Sequence, residues 1–270
     1  MTLHVEGCPM MERIHVTRVA RVELGIFWIW QNSFILKTPD ETLLAIDPHL
    51  VKNPKASYVA EPPMKPEELQ VDYVFCTHDH WDHTDPLTLP LVAENSPRTL
   101  FLGTPECRQR FLSLGIPSER TQALEAGKAV VFRGFSVIPL YSVPPRVAAY
   151  LKLTTHFGYV FDFGSVRIYN FGDSTPETVA DPMSVLGEVT RYRPEIAVFP
   201  IIGDYPSRRP EDAVLLTRTL KPQVVIPAHY GCFTDRTVDP SVFLQLMRGT
   251  SGVETVIVPR GGCYIHRAAA

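Results

Sequence analysis

Short apolar runs rich in β-branched and aromatic residues recur along the whole chain and predict strands. Val16 to Leu24, Ile26 to Leu36 and Thr42 to Ile46 read as an opening β-meander, with Thr38-Pro39-Asp40 as the turn before its last strand. Tyr73 to Cys76 and Thr99 to Leu102 follow as two short strands. The later half repeats the pattern at Ala129 to Phe132, Phe135 to Tyr141, Gly158 to Phe163, Val166 to Phe171, Ile196 to Ile201, Val224 to Ile226, Val253 to Val258 and Cys263 to His266. Gly134 and Gly164-Ser165 supply the tight turns between neighbours. Trp28 and Trp30 stand two apart, share one face of a strand and are assigned to the core.

Helical signals are fewer. Thr104-Pro105-Glu106 offers an N-cap, a proline at the first helical position and an early acid, and Gly115 a stop, so a helix is predicted over Pro105 to Leu114. Pro176 to Leu186, Pro210 to Leu220 and a segment from Asp239-Pro240 through Met247 read as further helices. Lys52 to Pro66 and Ser142 to Thr155 read as long loops, and residues 1–15 as an N-terminal lead-in without pattern. A β-rich chain with about four helices between strand groups predicts an α/β (α+β) fold. Two mixed sheets packed face to face with helices outside would account for it. No linker interrupts residues 1–270, so one domain is expected, and the two β-rich halves allow an ancient duplication.

Composition narrows the function classes. At 270 residues, 45% hydrophobic and 20% charged, the chain has the make-up of an ordinary globular protein. A net charge of −3 gives no general attraction to nucleic acid or anionic membranes, so neither is expected as a partner. Met1 to Arg18 lacks the apolar core of a secretory signal, and Leu24 to Leu36, broken by Gln31, Asn32 and Ser33, is too short to span a bilayer. A cytoplasmic location is the expectation. Five scattered cysteines argue against a disulfide framework, and most are read as buried thiols.

The chemistry concentrates where the Tyr73 strand ends. His78, His80, Asp82 and His83 follow it within six positions, with Asp85-Pro86 beyond. If extended geometry persists past Thr77, His78 and His80 point the same way, and a turn must then bring Asp82 and His83 to them. Such a density of imidazoles without a cation would create repulsion and unmet hydrogen bonds; with one, the set suits zinc, manganese or iron rather than calcium. Asp173 in Phe-Gly-Asp-Ser and His229 in Pro-Ala-His-Tyr-Gly are further ligand-type residues at strand ends.

Thr77 to Asp85 resembles the defining motif of the metallo-β-lactamase superfamily, and Asp173 and His229 match its later metal motifs. Asp47 matches the superfamily's first, usually structural, aspartate. Within the superfamily the phrases Lys37-Thr38-Pro39, Gly115 to Arg120, Ile168 to Ser174 and Val224 to Pro227 are similar to the L-ascorbate 6-phosphate lactonase group. The resemblance implies a four-layer αββα sandwich binding one or two divalent metal ions. His78 and His80 would serve the first metal, Asp82, His83 and His229 the second, and Asp173 would bridge them. The third-motif histidine is missing from Val143 to Thr155, and His156 is the nearest substitute. A homo-oligomer is consistent with the resemblance.

A metal lowers the pKa of its water toward ~7 and polarises the oxygen under attack. Asp82 is the residue expected to orient that nucleophile or pass its proton. The expected function is therefore metal-dependent hydrolysis of a lactone, or of a related ester or amide, in a small anionic metabolite. A phosphodiesterase and a metal-binding protein without hydrolytic activity are the alternatives. Arg146, Lys152, Arg208 and Arg209 are candidate anion contacts or solvated charges; His49 and Tyr230 are candidate pocket residues, Cys232 a buried thiol, and Trp81 a cleft wall or a packing residue.

Overall fold

Residues 8–203 and 208–268 are described by the structure, a computed structural model. In chain order the elements are α1 (Met10–Val16), β1 (Glu23–Trp30), β2 (Ser33–Lys37), β3 (Leu43–Ile46), β4 (Tyr73–Cys76), α2 (Leu89–Asn95), β5 (Leu100–Gly103), α3 (Pro105–Ser113) and β6 (Thr121–Ala123). They continue with β7 (Val130–Phe132), β8 (Phe135–Tyr141), α4 (Pro145–Leu151), β9 (Phe157–Asp162), β10 (Arg167–Asn170), α5 (Pro176–Ala180), α6 (Met183–Val189), β11 (Ile196–Pro200), α7 (Pro210–Leu220), β12 (Val224–Ala228), α8 (Pro240–Met247), β13 (Glu254–Thr255) and β14 (Cys263–Arg267). The chain divides into two units, Met1–Ala123 with Val258–Ala270, and Leu124–Ile257.

The first unit holds a seven-stranded sheet of order β14-β1-β2-β3-β4-β5-β6, and the second a seven-stranded sheet of order β7-β8-β9-β10-β11-β12-β13. Read in those orders, each sheet makes three antiparallel pairings and then three parallel ones. Parallel neighbours need a crossover, usually helical, so their carboxyl ends all open on one edge. Every ligand-type residue singled out from the sequence, His156 apart, leaves a carboxyl end in the parallel half of its sheet: Asp47 after β3, His78 to His83 after β4, Asp173 after β10 and His229 after β12. The mixed α/β architecture with two sheets and flanking helices agrees with the expected fold class.

Burial explains the strands. β2, β3, β11 and β12 are buried at every position, the condition of strands covered on both faces. In the second unit Tyr159, Phe161, Tyr169, Phe171 and Phe199 are essentially inaccessible, each contributing on the order of 1.5–3 kcal/mol by leaving water. Gly158 makes room for one of them, since a Cβ there would lie 2.6 Å from the Tyr169 hydroxyl oxygen.

Several expectations are corrected. No strand occupies 16–22; α1 precedes β1, and its Met10, Met11 and Ile14 are buried. Residues 1–7 of the expected lead-in lie outside the described residues. Ile26 to Leu36 is not one strand but a hairpin turning at Gln31-Asn32, with Trp30 opposite Ser33 and Gln31 at φ 49°. The expected helix over Pro176 to Leu186 is broken into α5 and α6 at Asp181-Pro182, because proline lacks the amide donor and disfavours helix in the residue before it. The Ser142 to Thr155 loop contains α4, started by Pro145 and stopped at left-handed Lys152. Thr104 caps α3 as expected, accepting from the Cys107 amide. Among the described residues no helix is long and apolar enough to cross a membrane.

Candidate metal centre

The extended geometry of β4 ends at Cys76, and Thr77 to His80 bend into a turn in which the amides of His83 and Thr84 both donate to the carbonyl of His80. This bend, rather than strand alternation, gathers the first unit's donors. The ring centroids of His78 and His80 are 4.4 Å apart and those of His78 and His83 4.0 Å apart, while His83 Nε2 lies 3.8 Å from Asp82 Oδ2. His78, Asp82 and His83 are buried, and His80 is partly exposed.

Asp47 organises the cluster from β3. Its Oδ1 accepts from the Thr77 amide at 2.7 Å, and its Oδ2 accepts from Thr77 Oγ1 at 2.6 Å, Asn32 Nδ2 at 2.7 Å and His83 Nδ1 at 2.6 Å. The last bond places the His83 proton on Nδ1 and its lone pair on Nε2, the carboxylate–histidine arrangement that orients metal-binding imidazoles. Thr77 Oγ1 has spent its proton on Asp47, so it can only accept from His78 Nδ1, 3.1 Å away, and the lone pair of His78 is likewise on Nε2. Asp82 is held through Oδ2 by Gln31 Nε2 at 3.0 Å, from the turn of the β1–β2 hairpin.

Charges around the motif are tied down on its outer side. Asp79 accepts a bidentate pair from Arg110 of α3 at 2.9 and 3.0 Å, and this partner raises the Arg110 pKa. Asp85 accepts from His49 Nδ1 at 2.8 Å and from Thr88 Oγ1. His49 is buried under the edge of Trp81, ring centroids 5.4 Å apart, so Trp81 packs on His49.

In the second unit His156 is buried, and its Nδ1 donates to the carbonyl of Thr154 at 2.8 Å, again leaving Nε2 as the lone-pair nitrogen. Ser142 connects this segment to Asp173: its amide donates to the His156 carbonyl, and its hydroxyl donates to the Asp173 carbonyl at 2.7 Å. Asp173 Oδ1 accepts from the Ser174 amide at 2.7 Å and stands 3.9 Å from Arg208 Nη1. His229 directly follows β12, fully buried, at φ 64°.

Seven described non-glycine residues have positive φ. Glu41 closes the Pro39-Asp40 turn by donating its amide to the Thr38 carbonyl, and Lys152, Arg193 and Lys221 cap helical segments. The other three are Gln31, Asp47 and His229. A left-handed backbone costs a residue other than glycine on the order of 1–3 kcal/mol, and such strain collects where side chains must be aimed.

Of the candidate cations, Arg146, Lys152 and Arg209 are exposed, as expected of solvated charges. Arg208 is 2% exposed; it donates to the carbonyls of Ser174 and Pro200 and its Nε pairs with Asp212 at 3.3 Å. Cys232 is a fully buried thiol and Tyr230 is buried, which raises its pKa. The chain thus carries His and Asp groups that could bind a metal ion, with Nδ1 of His78, His83 and His156 engaged inside the protein and Nε2 presented as donor.

The model of a family described as "Beta-lactamase superfamily domain" matches residues 25–229. A UPF0173 metal-dependent hydrolase of Archaeoglobus fulgidus is 27% identical over 245 residues, covering 89% of this chain and 98% of its own. Among solved structures, Igni18, a metallo hydrolase from Ignicoccus hospitalis, is similar at a TM-score of 0.67 and 22% identity, covering 92% of this chain and 100% of that one. An isothiocyanate hydrolase from Delia radicum gut bacteria is similar at a TM-score of 0.70 and 17% identity, covering 91% and 100%. These two structures are alike in fold.

Proposed function

Because the chain belongs to the Beta-lactamase superfamily, we propose that it is a metal-dependent hydrolase, one domain of that fold, which opens a lactone or cleaves a related ester or amide in a small anionic metabolite. The observation that carries the reading is the shared tautomer of His78, His83 and His156, each anchored through Nδ1 so that Nε2 is the donor. On the strength of the family resemblance, His156 is assigned with His78 and His80, and His229 with Asp82 and His83. Asp173 is assigned as the carboxylate shared by the two groups, on the strength of the family resemblance.

Zinc or manganese fits this nitrogen-rich donor set, and such an ion supplies a water acidified toward ~7 and a polarised oxygen at the bond under attack. The protein's own part falls to Asp82. Its carboxylate, fixed in rotation by Gln31, orients the attacking water and takes its proton. The water oxygen bonds to the carbonyl carbon, and the same proton passes to the leaving oxygen or nitrogen as the old bond breaks. Asp47, Thr77 and the Thr154 carbonyl hold the imidazoles still.

A phosphodiesterase is the second reading, favoured by the donor nitrogen of His156. Under that assignment each ion would have three protein donors besides Asp173, and phosphodiester displacement is best served by two ions. The test is metal analysis of the purified protein, followed by lactone, ester and bis-aryl phosphodiester substrates with and without added manganese or zinc. Metal-dependent opening of lactones is expected. Turnover of phosphodiesters alone would overturn the lactonase reading, and no turnover at full metal content would overturn hydrolysis altogether.

A further inference from the structure

The loop Val51 to Lys65, between β3 and β4, is joined to the metal motif by a cluster of aromatic rings. His49 is its centre. Trp30 and Tyr58 stack with His49 at centroid distances of 5.9 Å each, Trp30 and Tyr58 lie 5.7 Å apart, and Trp81 meets His49 edge-on at an interplanar angle of 80°. Polar bonds tie the cluster together. His49 Nδ1 is bonded to Asp85 Oδ2 at 2.8 Å, Tyr58 Oη lies 3.3 Å from His49 Nε2, and the Trp30 indole donates to the His49 carbonyl at 2.5 Å.

The cluster has a buried pair and a partly exposed pair. His49 and Trp30 are fully buried, whereas Tyr58 and Trp81 are partly exposed. Trp81 stands in the chain between His80 and Asp82, and Tyr58 is fastened at the loop tip by the Asn53 amide, which donates to its hydroxyl at 2.7 Å. Lys52 sits over the Tyr58 ring at 5.8 Å. Two partly exposed aromatic surfaces on a buried, hydrogen-bonded support, one of them next in sequence to His80 and Asp82, make a contact surface of low conformational cost, suited to flat or unsaturated groups.

We propose that Tyr58 and Trp81 are specificity-determining residues that wall the approach to the donor cluster and select substrates carrying a planar unsaturated or aromatic group beside the scissile bond, with His49 as the positioning residue that holds both. This rests on the hydrolase reading above. His49→Asn keeps a donor toward Asp85 and removes the ring; Tyr58→Phe keeps the ring and removes the hydroxyl.

The test compares α-phenyl-γ-butyrolactone with γ-butyrolactone on the metal-loaded protein. In Trp81→Leu, Tyr58→Leu and His49→Asn proteins with wild-type metal content, the ratio of kcat/KM for the phenyl over the parent lactone falls about fivefold to tenfold, carried by KM, and Tyr58→Phe retains most of it. Equal losses on both lactones, or no change of ratio in any variant, would overturn the wall. Should the wild-type holoprotein open neither lactone, the lactonase reading fails. The wall is then judged by phenylacetate binding, followed through tryptophan fluorescence in wild-type, Tyr58→Leu and His49→Asn proteins: weaker binding in both variants supports it, and equal or absent binding throughout overturns it.

Discussion

Asp47 Oδ2 lies 2.6 Å from Nδ1 of His83, and both side chains are fully buried. The carboxylate comes from the end of β3 and the imidazole from the turn after β4, so the bond ties the motif to the neighbouring strand. An amide at position 47 has one acceptor oxygen where Asp47 uses two, so its NH2 would face either the Thr77 amide or His83 Nδ1–H. Asp47→Asn is expected to lower metal affinity about 10- to 100-fold, measured by titrating metal-depleted protein against a competing chelator. Undiminished affinity would remove Asp47 from its orienting role.

Asp82→Ala is expected to reduce kcat about 10²- to 10⁴-fold on whichever substrate the panel identifies, since it deletes the proposed proton carrier. Gln31→Ala should fall between it and wild type, because the carboxylate remains but loses the bond that sets its rotation. Full activity in Asp82→Ala would refute the assignment.

His156→Ala should lower the bound metal by one equivalent, read by elemental analysis after dialysis. The thermal melt without metal reports separately on folding. Unchanged stoichiometry would take His156 out of the donor set.

Lys37 is a buried cation serving the carboxyl end of α1. Its ammonium donates to the carbonyls of Ile14, His15 and Thr17 at 2.9 Å each and pairs with Glu41 at 2.6 Å. Lys37→Met strands three carbonyls and is expected to cost about 2–4 kcal/mol in urea unfolding. A loss below about 0.5 kcal/mol, the scale of ordinary surface changes, would mean that α1 does not depend on this lysine.

Burial raises the Cys107 thiol from an ordinary 9.0 to about 12. Folded protein therefore holds this proton over a pH range in which unfolded protein has released it. The associated stability is complete below pH 9 and is lost as pH climbs from there toward 12. Urea midpoints should fall over that interval more steeply in wild type than in Cys107→Ala. Parallel slopes would contradict it.

Much of this molecule could be read locally. The alternation of short apolar runs with turn residues located most strands, and Thr104-Pro105 located α3 to its cap. Breaks were harder. Gln31-Asn32-Ser33 was visible as a polar interruption, but whether it ends a strand or reverses it depends on what each arm pairs with, and Trp30 opposite Ser33 is a tertiary fact. Likewise α1 has little amphipathic signal of its own and is held by Lys37, more than twenty residues downstream.

Ligand chemistry belongs to residue type, so the density of His78, His80, Asp82 and His83 was enough to announce a metal motif. Tautomer, burial and aim belong to neighbours. Nothing in the order of residues says that Thr77 has given its proton to Asp47 and must therefore accept from His78, or that Thr154 turns the His156 ring. Arg208 is the same lesson for charge: a cation in a polar loop reads as solvated until the carbonyls of Ser174 and Pro200 are brought to it. Covalent order carries propensity and donor chemistry. Hydrogen bonds between segments far apart in sequence carry orientation, and a metal site requires both.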